Sequence, residues 1–146
     1  MNKLVTLLLA STAAALAVAT FAGAAPRANP ISFAAKLTPK AEIPPQTWKN
    51  PGASGSFTGH ITGSKMQWTL KFTGLTGPTT AVNIDLGAVG TSGPVVVRLC
   101  GLVCPAAGTS ALSKALLKDF QAHKLYVNVH TKKNPNGEIR GQLSEG

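Results

Sequence analysis

Acidic residues are scarce in this chain: five Asp and Glu stand against fourteen Lys and Arg in 146 residues. A carboxylate pair for glycoside hydrolysis would have to come from Glu42, Asp85, Asp119, Glu138 and Glu145. Glu42 sits in a proline-rich stretch, Asp119 in a helical pattern and Glu145 at the tail, so only Asp85 with Glu138 is conceivable, and no local motif supports that pair. Histidines number three, His60, His123 and His130. Serines are plentiful, but none stands in a nucleophile-elbow context beside a histidine. The expectation is that the chain is not an enzyme. Aromatic residues make up only 5%. The basic residues are scattered, with Lys132-Lys133 as an adjacent pair, and are not interleaved with aromatics, which argues against nucleic acid as a partner.

Cysteine is nearly absent, with Cys100 and Cys104 alone. Three residues separate them, whereas the redox motif has two, and there is no second pair to complete a zinc site. Gly101 lets the short loop bend. In an oxidising compartment a structural disulfide between them is the default.

Only one long apolar run exists, Leu4 to Val18. It is shorter than the roughly 20 residues a membrane helix needs. It follows the positive start Met1-Asn2-Lys3 and precedes Ala22-Gly23-Ala24, a small-x-small cleavage pattern, so residues 1–24 read as a secretory signal peptide. Cleavage after Ala24 leaves 122 residues, 25–146, as a single domain with no membrane span and a secreted or periplasmic address. One of the fourteen basic residues, Lys3, leaves with the leader, so thirteen remain against five acids, a net +8. A scattered positive surface favours contact with a protein or an anionic envelope polymer.

What the chain has in quantity is apolar–polar alternation. Phe33, Ala35 and Leu37 alternate within 32–37; Phe57, Gly59 and Ile61 within 55–62; Met66, Trp68, Leu70 and Phe72 within 66–72; Val82, Ile84 and Leu86 within 81–86. Val95 to Leu99 is β-branched and runs into the cysteine loop. Leu112, Leu116 and Phe120 recur every four residues, which suits one short amphipathic helix over 110–121, capped by Ser110 or Ser113. A closing hairpin follows: Leu125, Val127 and Val129 point inward, Asn134-Pro135-Asn136-Gly137 turns the chain, and Ile139 and Leu143 return to the core, with Arg140 and Gln142 facing out. The pattern predicts an all-β fold: an antiparallel β-sandwich of about seven to eight strands, with the helix inserted before the last hairpin.

The closing run, Tyr126-Val127-Asn128-Val129-His130-Thr131, then Asn134-Pro135, then Gly137-Glu138-Ile139-Arg140-Gly141-Gln142-Leu143, resembles the signature of the CHRD (chordin-type) domain. The opening Phe33-Ala34-Ala35-Lys36-Leu37 with Glu42-Ile43-Pro44-Pro45, the mid-domain Gly74-Leu75, and Gly93-Pro94-Val95-Val96-Val97 are similar to the family as well. The resemblance implies an exported module without a defined chemistry. The family's Ala-His-Ile-His strand is here Ala81-Val82-Asn83-Ile84-Asp85, so both histidines are replaced and any activity resting on that pair is in doubt.

The candidate binding face gathers on the strand positions opposite the core: His130, Asn128, Tyr126, Arg140, Asn83 and Asp85. They share one face if their strands are neighbours. As a binding or structural module the chain needs no cofactor. The alternative is a superoxide-dismutase-like protein holding zinc or copper through His130 and Asp85, a likeness at the level of fold alone. Glu138 is expected to pair with Arg140 or a loop lysine.

Overall fold

The computed structural model describes residues 29–46 and 51–146. The expected leader, 1–24, lies outside the described residues. Among the described residues nine strands form two antiparallel sheets: β1 (Ile31–Leu37), β2 (Ser54–Thr62), β3 (Lys65–Thr73), β4 (Thr79–Leu86), β5 (Val95–Cys100), β6 (Ala107–Ala111), β7 (Leu125–Thr131), β8 (Ile139–Gln142) and β9 (Ser144–Glu145). One helix, α1 (Lys114–Gln121), precedes the closing hairpin. The first sheet runs β6-β3-β2-β1-β9 and the second β5-β4-β7-β8, so the predicted sandwich is the observed architecture.

The inward residues of the alternating strands make the core. Leu37, Phe57, Val82, Ile84, Val127, Val129 and Ile139 are fully buried. Phe33 stacks on Phe57 with ring centroids 5.5 Å apart, Phe57 reaches Trp68 at 5.8 Å, and Phe120 of the helix meets Phe33 edge-on at 6.2 Å. Aromatic pairs in these geometries add to the area they bury. Phe72 departs from the pattern: it is partly exposed, because β3 runs past the edge of the core there.

Two strands exceed the predicted set. β9 is a two-residue pairing with β1. β6 pairs with β3, Trp68 lying opposite Gly108, and it takes Ser110 and Ala111 from the predicted helix. α1 therefore begins at Lys114, and Ser113 is its cap, its side chain accepting from the Leu116 amide. Leu112 is still buried, but from the connection rather than from the helix.

The sheets are joined at one corner. The Thr38 amide donates to the Arg140 carbonyl at 2.9 Å and the Arg140 amide to the Thr38 carbonyl at 3.1 Å. Gly141 is needed there, since a Cβ would lie 2.3 Å from the Lys36 carbonyl oxygen. Cys100 and Cys104 form the predicted disulfide. No helix among the described residues is long and apolar enough to cross a membrane.

Candidate functional site

The hydrogen-bonding register of the second sheet settles which predicted site residues meet. Asn83 pairs with Asn128, which pairs with Arg140; Asp85 pairs with Tyr126, which pairs with Gln142. Alternate residues of a strand share a face, so Asn83, Asp85, Tyr126, Asn128, His130 and Arg140 do lie on one face of three adjacent strands. His130 stands across from Ala81, at the far end of that face from Asp85.

The expectation that Arg140 faces solvent is wrong. Arg140 is 3% exposed, and Tyr126, Asn83, Asp85 and Asn128 are buried too. The face is roofed by three segments that carry few apolar residues and so gave no periodic signal. Within the loop 87–94, the Thr91 carbonyl accepts from Arg140 Nη2 at 2.6 Å, the Gly87 carbonyl accepts from Gln142 Nε2 at 3.0 Å, and the Gly93 amide donates to the Tyr126 hydroxyl at 3.1 Å. In the turn 134–137, the Pro135 carbonyl meets His130 Nδ1 at 2.9 Å. The third segment, 39–46, opens with a single 3-10 turn, Pro39–Ala41, and brings in Glu42.

Glu42 is the residue that the sequence reading set aside. It is 3% exposed, and its carboxylate lies beside Gly137, where a Cβ would be 2.6 Å from Glu42 Oε2 and 2.6 Å from Asn128 Oδ1. Its signal was present in the sequence: a carboxylate in Glu42-Ile43-Pro44-Pro45, within the stretch similar to the family's opening.

Between these roofs and the sheet lies a cleft of about 670 Å³, lined by Glu42, Asp85, Tyr126, Asn128 and His130, with Ile43, Pro44 and Pro45 on one wall and Val95 and Pro135 on others. Asn83 and Arg140 do not line it. Arg140 lies under its floor, its guanidinium carbon 3.3 Å from the centroid of the Tyr126 ring, an arrangement that favours the cation electrostatically.

The electrostatics follow from burial. Glu42 is pushed up to about 8, because desolvation outweighs the pull of the Arg140 charge, and Asp85 raises it further. Asp85 is also raised by burial, against the opposing pull of His130, a hydrogen bond from Tyr126 and the charge of Arg140. Burial likewise raises Tyr126, against its hydrogen bond with Gly93. Desolvation disfavours the charged form of a carboxyl or phenol, which gives all three shifts the same sign.

Five buried atoms of cleft residues make no hydrogen bond among the described residues: Glu42 Oε1, Gln46 Oε1, Asp85 Oδ1, Asn128 Oδ1 and His130 Nε2. The His130 tautomer follows from its partner. A carbonyl only accepts, so Nδ1 carries the hydrogen given to Pro135, and Nε2 of the neutral ring is left as an acceptor.

Glu138 does not pair with Arg140. It is wholly buried and accepts from the Thr76 amide at 2.6 Å, the Thr76 hydroxyl at 2.8 Å and the Thr131 hydroxyl at 2.6 Å. It ties the β3–β4 connection to the closing turn and stands apart from the cleft. His60 lies on the other sheet, 2.7 Å from Gln67 Oε1. His123 ends the helix with φ 55°. Among the described residues no group of three or more His, Cys, Asp or Glu side chains could hold a metal ion. Asp85 and His130 stand four residues apart along the register, which separates their backbones by roughly 13 Å at about 3.3 Å per residue.

No curated protein and no solved structure matches this chain. A family model does, over residues 33–143, from the first core phenylalanine of β1 to the leucine that ends the closing hairpin, taking in both the Glu42 segment and the His130 strand. The match covers most of the molecule and every residue of the cleft, and the chain belongs to the CHRD domain family.

Proposed function

We propose that this CHRD domain is an exported, non-catalytic binding module whose ligand seats in the cleft between Glu42 and His130. One observation carries the reading: five buried polar atoms without a partner among the described residues converge on a single cleft. A buried unsatisfied polar group costs about 1–3 kcal/mol. Five of them in one place describe a surface arranged for something that bonds to it.

The partner is a protein or an envelope polymer that inserts one group into the cleft, and the scattered basic surface assists approach when that partner is anionic. Affinity capture from a cell-envelope fraction at low salt tests this. Asn136 is exposed and lines the cleft, so Asn136→Trp should fill the mouth without disturbing the core. The wild-type protein should recover a partner that Asn136→Trp, with unchanged Tm, does not. Equal recovery by both proteins, or none by either, would sink the proposal.

A further inference from the structure

The chemistry of the cleft restricts what it can accept. Its unpartnered atoms are acceptors: two carboxylate oxygens, two amide oxygens and the His130 Nε2 lone pair. Several donors around them are already engaged: Arg140 Nη2 is given to Thr91, His130 Nδ1 to Pro135, Asn134 Nδ2 to Thr76, the Gly93 amide to Tyr126 and Gln46 Nε2 to Pro44. An anion entering here would face these lone pairs, whereas an ammonium brings the donors they lack. The charge balance has the same sense. Once a ligand has displaced the Glu42 proton, and with the His130 ring neutral, Glu42 and Asp85 exceed Arg140 by one negative charge. The walls that lead in, Ile43, Pro44, Pro45, Val95 and Pro135, are apolar. A cleft of about 670 Å³ is far larger than a bare ion needs. The scattered lysines elsewhere are screened beyond about 8 Å at physiological ionic strength.

We infer that the cleft is a receptor for a primary ammonium group on a short apolar stem, the chemistry shared by a lysine side chain and a simple alkylamine. This rests on the binding reading above and goes beyond it by naming the ligand class. Three N–H donors would meet Glu42 Oε1, Asp85 Oδ1 and Asn128 Oδ1, and the stem would lie against the proline wall. Binding is linked to protons. Free Glu42, faced by Asp85 from β4, Tyr126 and His130 from β7 and Arg140 from β8, holds its proton up to about pH 8, and an ammonium beside it favours the carboxylate. A proton therefore leaves as the ligand enters. Affinity should strengthen about tenfold per pH unit below that value and level off above it.

The test is an NMR titration with n-butylammonium and Nα-acetyl-lysine N-methylamide, against n-butanol, butyrate and calcium chloride, following the side-chain amides of Asn128 and Gln46 at pH 6 and pH 8. Both amines should shift these resonances saturably and bind at least tenfold more tightly at pH 8. Tighter binding of the lysine amide assigns the group to a polypeptide, and equal binding assigns it to a free amine; either supports the ammonium. Glu42→Gln should melt at or above the wild-type Tm at pH 6, lose the pH dependence of binding and bind the amines at least tenfold more weakly at pH 8. Should that variant fail to fold, the wild-type pH dependence decides alone. If n-butanol or butyrate binds as tightly as the amines, if calcium binds more tightly, or if affinity does not change with pH, the ammonium class is wrong while the cleft stands as a binding site. If no probe shifts the cleft residues, both the class and the binding reading fail.

Discussion

Gly137 shows how one residue can serve both the fold and the site. Its φ of 123° lies where L side chains are strained, and its amide donates to the Asn134 carbonyl at 3.1 Å to close the turn. A Cβ there would also strike Asn128 Oδ1 and Glu42 Oε2. Gly137→Ala should therefore cost about 1–3 kcal/mol from backbone conformation alone, with a further loss from the collision, read as a lower denaturation midpoint. An unchanged midpoint would mean that the Glu42 segment is not packed on the turn. Glu42 makes the second prediction at this scale. Its carboxyl is near 4.5 in the unfolded chain and about 8 in the folded one. A carboxyl raised on folding leaves stability intact below the unfolded value and removes it as pH rises toward the folded one. Wild-type Tm should thus fall from about pH 4.5 to about pH 8, with Asp85 adding in the same direction. Glu42→Gln should flatten this slope and melt several degrees higher than wild type at pH 8.5. A Tm profile identical to wild type would refute the buried neutral carboxyl. The face formed by Asn83, Asp85, Tyr126, Asn128 and Arg140 was legible in the sequence, because strand periodicity assigns faces. Its burial was not, because the loops that cover it act through backbone carbonyls and amides, which leave no side-chain pattern.

Among the elements, legibility followed apolar content. β1 to β4 and the closing hairpin place a large apolar side chain or a glycine at alternate positions, and all were recognisable. β6, Ala-Gly-Thr-Ser-Ala, has no large apolar side chain. It is a strand because of what it leaves room for. The Trp68 indole lies over Gly108, where a Cβ would be 2.3 Å from Cζ2, and Trp68 Nε1 donates to Ser110 Oγ at 3.1 Å. The aromatic residue of β3 thus selects a small partner strand, a pairing written in two distant segments. The helix stop was hidden for a different reason. His123 occupies the left-handed position that usually falls to glycine, its amide donating to the Phe120 carbonyl and the Lys124 amide to the Asp119 carbonyl, both at 2.9 Å. This is the double bond of a Schellman cap. His123→Gly should keep both bonds, relieve the backbone and stabilise the protein by about 0.5–1 kcal/mol in urea denaturation. Destabilisation would show that the His123 side chain contributes more than its backbone costs.

Taken whole, the molecule separates the parts that hold it together from the parts that line the cleft. The disulfide tests that separation. Cys100 closes β5, an edge of the second sheet, and the chain leaves through Cys104 to β6, an edge of the first. The bridge therefore guides a crossing between sheets, at the opposite end of β5 from Val95, which lines the cleft. A ring this short removes little freedom from the unfolded chain: the loop-entropy relation gives about 2 kcal/mol for five residues. The core aromatics and the corner joining Thr38 to Arg140 lie elsewhere and do not depend on it. Replacing both cysteines by serine should then lower stability by about 1–2 kcal/mol, keep a cooperative transition, and leave the Asn128 and Gln46 resonances in place. Loss of cooperative unfolding would make the bridge a pillar of the sandwich. Disturbed cleft resonances would mean that β5 transmits the state of the disulfide to the site. Under the proposed export both thiols would meet an oxidising compartment, so protein recovered from outside the cell should resist alkylation until reduced. Free thiols in that protein would show that the Cys100–Cys104 bridge does not persist there.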